Sequence, residues 1–216
     1  MRDIRNWYKL LEGNGLVADD SGPGAAQGTL SADVTWAPFY FPPGTPYDQK
    51  GVVIGATASR IVSAAAAGFP AAAGSIEMLA KPTWNYNDSL THFFWHTYGG
   101  NNQRFQLQKY FDGYTYLMTG GTSRGSFQYT WAANTFYHIV LNWGTNELWI
   151  NGTLVNTYTA GGLGNGSSTL YIGDHSSLAN SAFSGTIYYF IARTVALTQV
   201  EIAAFKAFFE NQYVSS

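Results

Sequence analysis

From Ser75 to Arg193 the chain is a succession of short segments. SIEMLAKPTW, THFFWHTY, RFQLQKY, YTYLMTG, SFQYTW and FYHIVLNW come first, and ELWI, TLVNTY, TLYIG and GTIYYFIAR follow. Each is rich in β-branched or aromatic residues and is bounded by a polar, Gly-rich break. Strands recurring at roughly 8–12-residue spacing with turn signals between them specify an all-β sandwich or barrel. In RFQLQKY, Phe105 and Leu107 fall on one face of a strand and Arg104, Gln106 and Gln108 on the other. That alternation predicts one face in a core and one face in water.

Local signals fix two elements more sharply. ELWI and TLVNTY are separated only by Asn151-Gly152, the strongest short signal for a type I′ hairpin, in which both central residues need positive φ. Asn151-Gly152-Thr153 is also a glycosylation triplet, but the turn is the better reading because attachment needs secretion and no export signal is visible. Near the end, Thr198 stands three residues before Glu201, the capping-box spacing, and Ile202, Phe205 and Phe209 follow at helical spacing. These predict one long helix over 198–211. SAAAAGFPAAAG (Ser63–Gly74) is Ala-rich, but Gly68 and Pro70 limit it to connecting structure with at most one helical turn.

Composition excludes several classes. Charged residues are 11% of the 216, aromatics 17%, and the net charge is −2. Lysines and arginines are scattered, so the basic footprint of a nucleic-acid binder is missing. No apolar run is long enough to span a bilayer, and MRDIRNWYKLL has no apolar stretch behind it to make a secretory signal. There is no cysteine, hence no disulfide framework or thiolate metal site. No linker divides the sequence, so 1–216 reads as a single domain with a large core and a neutral polar surface.

Three blocks carry a resemblance: NGLVADDSGPGAAQGTL near the start, FYHIVLNWGTNELWINGTLV, and LYIGDHSSLANSAFSGTIYYFIARTVALTQVEIAAF, with GSIEMLAKPTW as a weaker fourth. In this order they are similar to the laminin-G-like domains of the concanavalin A-like lectin/glucanase superfamily. The resemblance implies a jelly-roll β-sandwich of two curved antiparallel sheets with a short C-terminal helix. It implies little about function, because that fold hosts lectins, adhesion modules, glycosidases, lyases and virion parts.

Signals for catalysis are weak. Glycosidases of this superfamily set carboxylates on alternate positions of one strand, one as acid and one as nucleophile. None of the thirteen acidic residues lies at i, i+2 or i, i+4 from another, and Glu77 is alone on its strand. GTSRG (Gly121–Gly125) matches a nucleophile elbow, but a strand pattern rather than a helix follows it, so it reads as a β-turn. GLGNGS (Gly162–Ser167) opens no helix and is a loop. His92 and His96 flank FFW and could share a strand face as zinc ligands; without a nearby Cys or Glu they read as structural, as does His138, and His175 falls in a loop.

The resemblance implies calcium at the sandwich rim. Asp19 matches the Asp of the family's Asp-x-Ser-Gly, whereas Tyr188 stands where the family commonly has a second Asp. Ligand contacts are expected from PTWNYND (Pro82–Asp88), YGGNNQR (Tyr98–Arg104) and KYFDGY (Lys109–Tyr114), through Trp84, Tyr86, Asn101, Asn102, Arg104, Asp112 and Tyr114. Rings stack on sugar faces and amide, carboxylate and guanidinium groups bond hydroxyls, and the low charge content means that recognition should run through rings and neutral polar groups, not through charge. The sequence thus points to a non-catalytic recognition or adhesion module for a carbohydrate or other surface ligand, outside the cell or on a virion surface. The alternative is a virion structural protein, a decoration or fibre component that contacts other virion proteins and is arrayed as a homo-oligomer; a chain opening on Met with no export segment favours it.

Overall fold

A computed structural model describes residues 4–8, 17–18, 27–31, 33–38, 50–55, 60–63, 73–98, 104–119, 122–159, 169–175 and 181–213. In chain order the elements are β1 (Ile4–Tyr8), β2 (Val17–Ala18), β3 (Gly28–Leu30), β4 (Thr35–Pro38), β5 (Lys50–Ile54), β6 (Ile61–Ser63), β7 (Gly74–Pro82), β8 (His92–Tyr98), β9 (Phe105–Lys109), β10 (Tyr114–Thr119), β11 (Thr122–Gln128), β12 (Tyr137–Trp143), β13 (Glu147–Ile150), β14 (Thr153–Thr157), β15 (Thr169–Ile172), β16 (Gly185–Arg193) and α1 (Gln199–Tyr213). They form two antiparallel eight-stranded sheets. The first runs β14-β13-β12-β7-β16-β5-β4, with β1 also on β16; the second runs β11-β10-β9-β8-β15-β6-β3-β2. This is the β-sandwich jelly roll the sequence predicts, with α1 the one helix among the described residues.

The core lies between the sheets and follows the period-two pattern. Ile76, Met78 and Ala80 of β7, Ile139 and Leu141 of β12, and Phe190 of β16 face Phe94 and Trp95 of β8, Leu107 of β9 and Leu117 of β10. Rings cross the gap: Trp95 lies 6.2 Å from Phe190 and Phe105 lies 5.4 Å edge-on to Trp143. Gly74 is what lets Trp143 sit there, since a Cβ at that position would fall 2.1 Å from the indole. Such close-packed rings favour offset and edge-to-face geometry and dominate core energetics.

Helix α1 closes the outer face of the first sheet. The capping box forms as its spacing predicts: Thr198 N donates to Glu201 Oε2 at 2.8 Å and Glu201 N to Thr198 Oγ1 at 3.3 Å. Ile202 then packs with Val140, Trp149 and Leu197, and Phe205 lies 5.5 Å from the His138 ring. The side chain of Phe209 and the 64–72 stretch lie outside the described residues. Asn142 clasps the segment leading into the helix, its amide bonding Leu197 O at 2.8 Å and Leu197 N at 3.0 Å.

The Asn151-Gly152 turn joins β13 to β14 with φ of 49° and 71°. Asn151 Oδ1 accepts from His138 N at 2.8 Å, which ties the turn to β12. A Cβ on Gly152 would also meet the Lys206 side chain of α1 at 2.6 Å. Gly152→Ala therefore meets both the left-handed backbone penalty and a crowded helix, and is expected to destabilise the fold by about 1–2 kcal/mol. Chemical denaturation checks this; a change within experimental error would contradict the turn's role.

Candidate functional site

The outer face of the second sheet is not capped by the helix and carries a groove of about 770 Å³. Its floor is Phe93 of β8, Gln106 and Gln108 of β9, Tyr116 and Met118 of β10, and Ser123 of β11; Ser89, Leu90 and Thr91 line it from the loop before β8. Tyr110 and Phe111 line it at the exit of β9, whereas Arg104 lines it at the entrance of that strand, with His175. β9 keeps the alternation read from RFQLQKY, with Phe105 and Leu107 in the core and the two glutamines on the opposite face. That opposite face is not wet, however: Gln106 is only 3% exposed and Gln108 only 6%, because they form the bottom of a groove. Gln106 Nε2 donates to Gln108 Oε1 at 3.1 Å, and among the described residues Gln106 Oε1 has no hydrogen-bond partner.

The groove wall is fixed from inside the core. Lys109 ends β9 with its side chain 0% exposed. Its ammonium bonds Asp88 Oδ1 and donates to Leu90 O at 2.9 Å. The other Asp88 oxygen bonds His92 Nε2 at 2.6 Å, and Oδ1 also accepts from Leu90 N at 3.1 Å. Burial opposes the Asp88 charge, but the bonds from Lys109 and His92 outweigh it and hold the carboxyl below its ordinary value. His92 stacks face to face on Trp84 at 4.3 Å, and Lys109 Nζ lies 5.7 Å over the same indole. The 88–91 segment that lines the groove is thus tied to a buried cation and a buried indole.

Of the residues singled out in the sequence, Arg104 lines the groove. Asp112 and Tyr114 stand exposed beside it: Asp112 accepts from Tyr114 N at 2.9 Å and from the hydroxyl of Tyr116, a groove residue, at 2.8 Å. Tyr86 is half-buried against the core, its carbonyl next to Gly113. Trp84 corrects the expectation of an exposed stacking ring: it is 5% exposed, and its Nε1–H bonds Phe183 O inside the sandwich. Asn101 and Asn102 lie outside the described residues. The residues that reasoning passed over are Tyr110, Phe111, Gln106, Gln108, Tyr116 and His175. Tyr110 and Phe111 lie within the KYFDGY stretch, and the others follow once β9 and β10 are aligned and their outward positions read off.

His92 and His96 do not share a face. A β-bulge between Phe93 and Trp95 shifts the register against β9, so both Phe94 and Trp95 enter the core and His96 emerges on the outer side. There it stacks on His175 at 4.0 Å and lies 6.0 Å from Tyr171. Burial first, then His175 and Arg104, push its pKa to about 3; burial, then Arg104 and Arg60, push that of His175 to about 4. Glu77, the one carboxylate of β7, is buried among bonding partners. Under α1, its Oε1 bonds His138 Nε2 at 2.9 Å and the Tyr189 hydroxyl at 3.0 Å, and its Oε2 pairs with Arg193 at 2.5 Å. Burial opposes this charge, but the His138 bond and the Arg193 cation outweigh it and keep the carboxyl ionised.

Ser123 and Arg124 of GTSRG lie within strand β11, not in a β-turn and not ahead of a helix. Asp19 lies outside the described residues, and Tyr188, at the family's second Asp position, is packed against Leu79 and Phe136. Among the described residues no group of three or more His, Asp or Glu is placed to hold a metal. Nor, among them, is any helix long and apolar enough to cross a membrane.

No protein-family profile and no curated protein sequence matches the chain. Solved structures do match. The ligand-binding domain of botulinum neurotoxin serotype D, in complex with N-acetylneuraminic acid, is similar over 95% of this chain and 50% of its own, with a TM-score of 0.69 at 13% identity. Trypanosoma rangeli sialidase in complex with sialic acid is similar over 94% of this chain and 32% of its own, with a TM-score of 0.66 at 14% identity. The binding domain of botulinum neurotoxin DC, in complex with rat synaptotagmin II, matches 98% of this chain and 52% of its own, with a TM-score of 0.65 at 11% identity. The chain thus spans between a third and a half of these structures, and at such identity the likeness is one of fold.

The stacked histidines make stability acid-sensitive. Their folded pKa values lie below the unfolded value of about 6.5, so the unfolded chain binds more protons in between and stability is lost as pH falls from about 6.5 towards 4. The limiting slope is about 1.4 kcal/mol per pH unit for each histidine. Melting temperature should fall across this window, and less steeply for His96→Gln. A flat profile in the parent protein would contradict the burial of the pair.

Proposed function

We propose that this chain is a non-catalytic, laminin-G-like recognition module that holds a glycan, or another surface ligand, in the groove across β8, β9, β10 and β11. The observation that carries this reading is the groove's composition. Phe111, 56% exposed, and Tyr110 offer ring faces beside the amides of Gln106 and Gln108 and the hydroxyls of Tyr116 and Ser123. Ring faces with converging neutral polar groups are what a pyranose needs, and concave sites of this size hold small ligands. Neighbours of this fold, of which the chain spans between a third and a half, are in complex with sialic acid and with a synaptotagmin, in keeping with a carbohydrate or surface-ligand reading. Binding without turnover fits too, because no carboxylate is among the described residues lining the groove and Glu77 is sealed in ion pairs beneath α1. The acid and nucleophile of a glycosidase must both flank the scissile bond.

Glycan-array screening of a multimerised protein tests this reading, with N-acetylneuraminic acid-terminated glycans among the probes. Binding is expected without release of reducing ends, and Phe111→Ala or Tyr116→Ala should weaken it about tenfold, roughly 1.4 kcal/mol. Trp84→Ala should act through stability instead, since that ring is core. If no glycan binds, or both groove variants bind like the parent, a role in assembly becomes the better reading.

Calcium at Asp19 is a separate proposal, resting on the sequence resemblance. A ligand bound only by the folded state stabilises it. Millimolar calcium should raise the melting temperature and chelator reverse the rise; an unchanged temperature in both rejects calcium.

A further inference from the structure

The groove is electrically uneven. Its exit end, at Tyr110 and Phe111, adjoins Asp112, whose carboxylate is held by the Tyr116 hydroxyl. Its entrance end carries Arg104, and no carboxylate is among the described residues lining any part of it. Arg60 adds to the positive field there, donating to His175 O at 2.8 Å while pairing with Asp174 at 3.5 Å. The two guanidiniums are felt at the site, because both disfavour protonation of His175. Between the two ends lies Gln106 Oε1, a buried acceptor without a hydrogen-bond partner among the described residues. A buried acceptor left unsatisfied is costly, so a ligand hydroxyl or amide N–H reaching it gains more than the same bond would in water.

We propose that the groove selects a carboxylated sugar, its carboxylate at the Arg104 end, a hydroxyl or amide N–H on Gln106 Oε1, and its ring towards Tyr110 and Phe111. The inference rests on the glycan reading above and deepens it to a substrate class. The planar guanidinium fork matches a carboxylate in bidentate fashion. A single Lys or Arg among the described residues of the lining suits one negative charge better than the densely sulfated chains that clusters of basic residues hold. Asp112 at the other end repels the acidic group and so sets the ligand's direction. This departs from recognition through neutral groups alone, because it gives one charge a defined place.

The test uses the full chain, multimerised, and polymer-displayed oligosaccharides ending in glucuronate, in N-acetylneuraminate, in the methyl ester of each, in a sulfated sugar, and in a neutral sugar. The proposal expects one of the two carboxylates to bind at least tenfold tighter than its methyl ester and than the sulfated and neutral probes; which one identifies the source. It also expects that preference to shrink between 50 and 500 mM salt and to be lost in Arg104→Gln. Arg104→Lys, which keeps the charge without the fork, should recover only part of it. Melting temperature monitors folding of both variants, and the methyl-ester comparison needs no variant. Equal binding of acid, ester and neutral probes overturns the acidic specificity while leaving the glycan reading standing. Preference for the sulfated probe overturns the carboxylate assignment. No binding by any probe removes the glycan reading and this inference with it.

Discussion

The buried ammonium of Lys109 is the constraint on which the groove face depends. Moving an ion of this kind out of water costs several kcal/mol even after relaxation, and the cost is met only with a partner at hydrogen-bond distance. Asp88 is that partner, and Leu90 O supplies a second acceptor. Both come from the segment between β7 and β8, so satisfying the charge dictates where that segment lies. Ser89 adopts φ of 60° between them, and the neighbouring Leu90 and Thr91 become groove wall. His92 and Trp84 complete the arrangement from the core side. A replacement that strands either charge would disturb core and groove together, which is why the two cannot vary independently.

The two outer faces of the sandwich meet their polar groups in different ways. On the first sheet, Glu77 is bonded by His138 and Tyr189 and paired with Arg193, and α1 covers part of the face through Ile202 and Phe205. On the second, the polar groups at the floor are amides, and one acceptor is left over. Glu77, His138 and Arg193 are buried, so that network is closed to a ligand. An amide floor under exposed rings leaves both area and hydrogen-bonding capacity. The proposed placing of recognition on the second sheet rests on that difference.

Much of this was legible in the sequence because it is local. The capping box at Thr198–Glu201, the Asn151-Gly152 turn and the alternation in β9 each depend on neighbours within a few residues, and each forms as its pattern dictates. What was illegible depends on partners far along the chain. Trp84 reads as a loop aromatic until Phe183 O receives its indole N–H and His92 stacks on it. The bulge at Phe93–Trp95 leaves no mark in THFFWHTY, yet it puts His92 and His96 on opposite sides. Glu77 looks solitary because its partners lie 61 and 112 positions away. Arg104 could be named from composition and exposure, but only the register of β8, β9 and β10 shows that it shares a groove with Tyr116 and Gln106.

The electrostatics of the groove also bear on how tightly it can hold a ligand. Burial, with the field of Arg104, keeps His96 and His175 neutral near physiological pH, so His175 lines the groove as a polar ring rather than a charge. One guanidinium, a few amides and two or three ring faces give good direction but limited total free energy, since each ring contact is worth about 0.5–1.5 kcal/mol beyond its buried area. Immobilising a flexible ligand consumes part of that. On the reading proposed above, a single groove of this kind favours discrimination more than tenacity. Tenacity comes from presenting several grooves at once, because linked sites turn later binding events into intramolecular ones with high effective concentration. The exposed edge strand β14 and the uncapped second sheet are compatible with such arrays, provided the contacts that build them leave the face of β8 to β11 open.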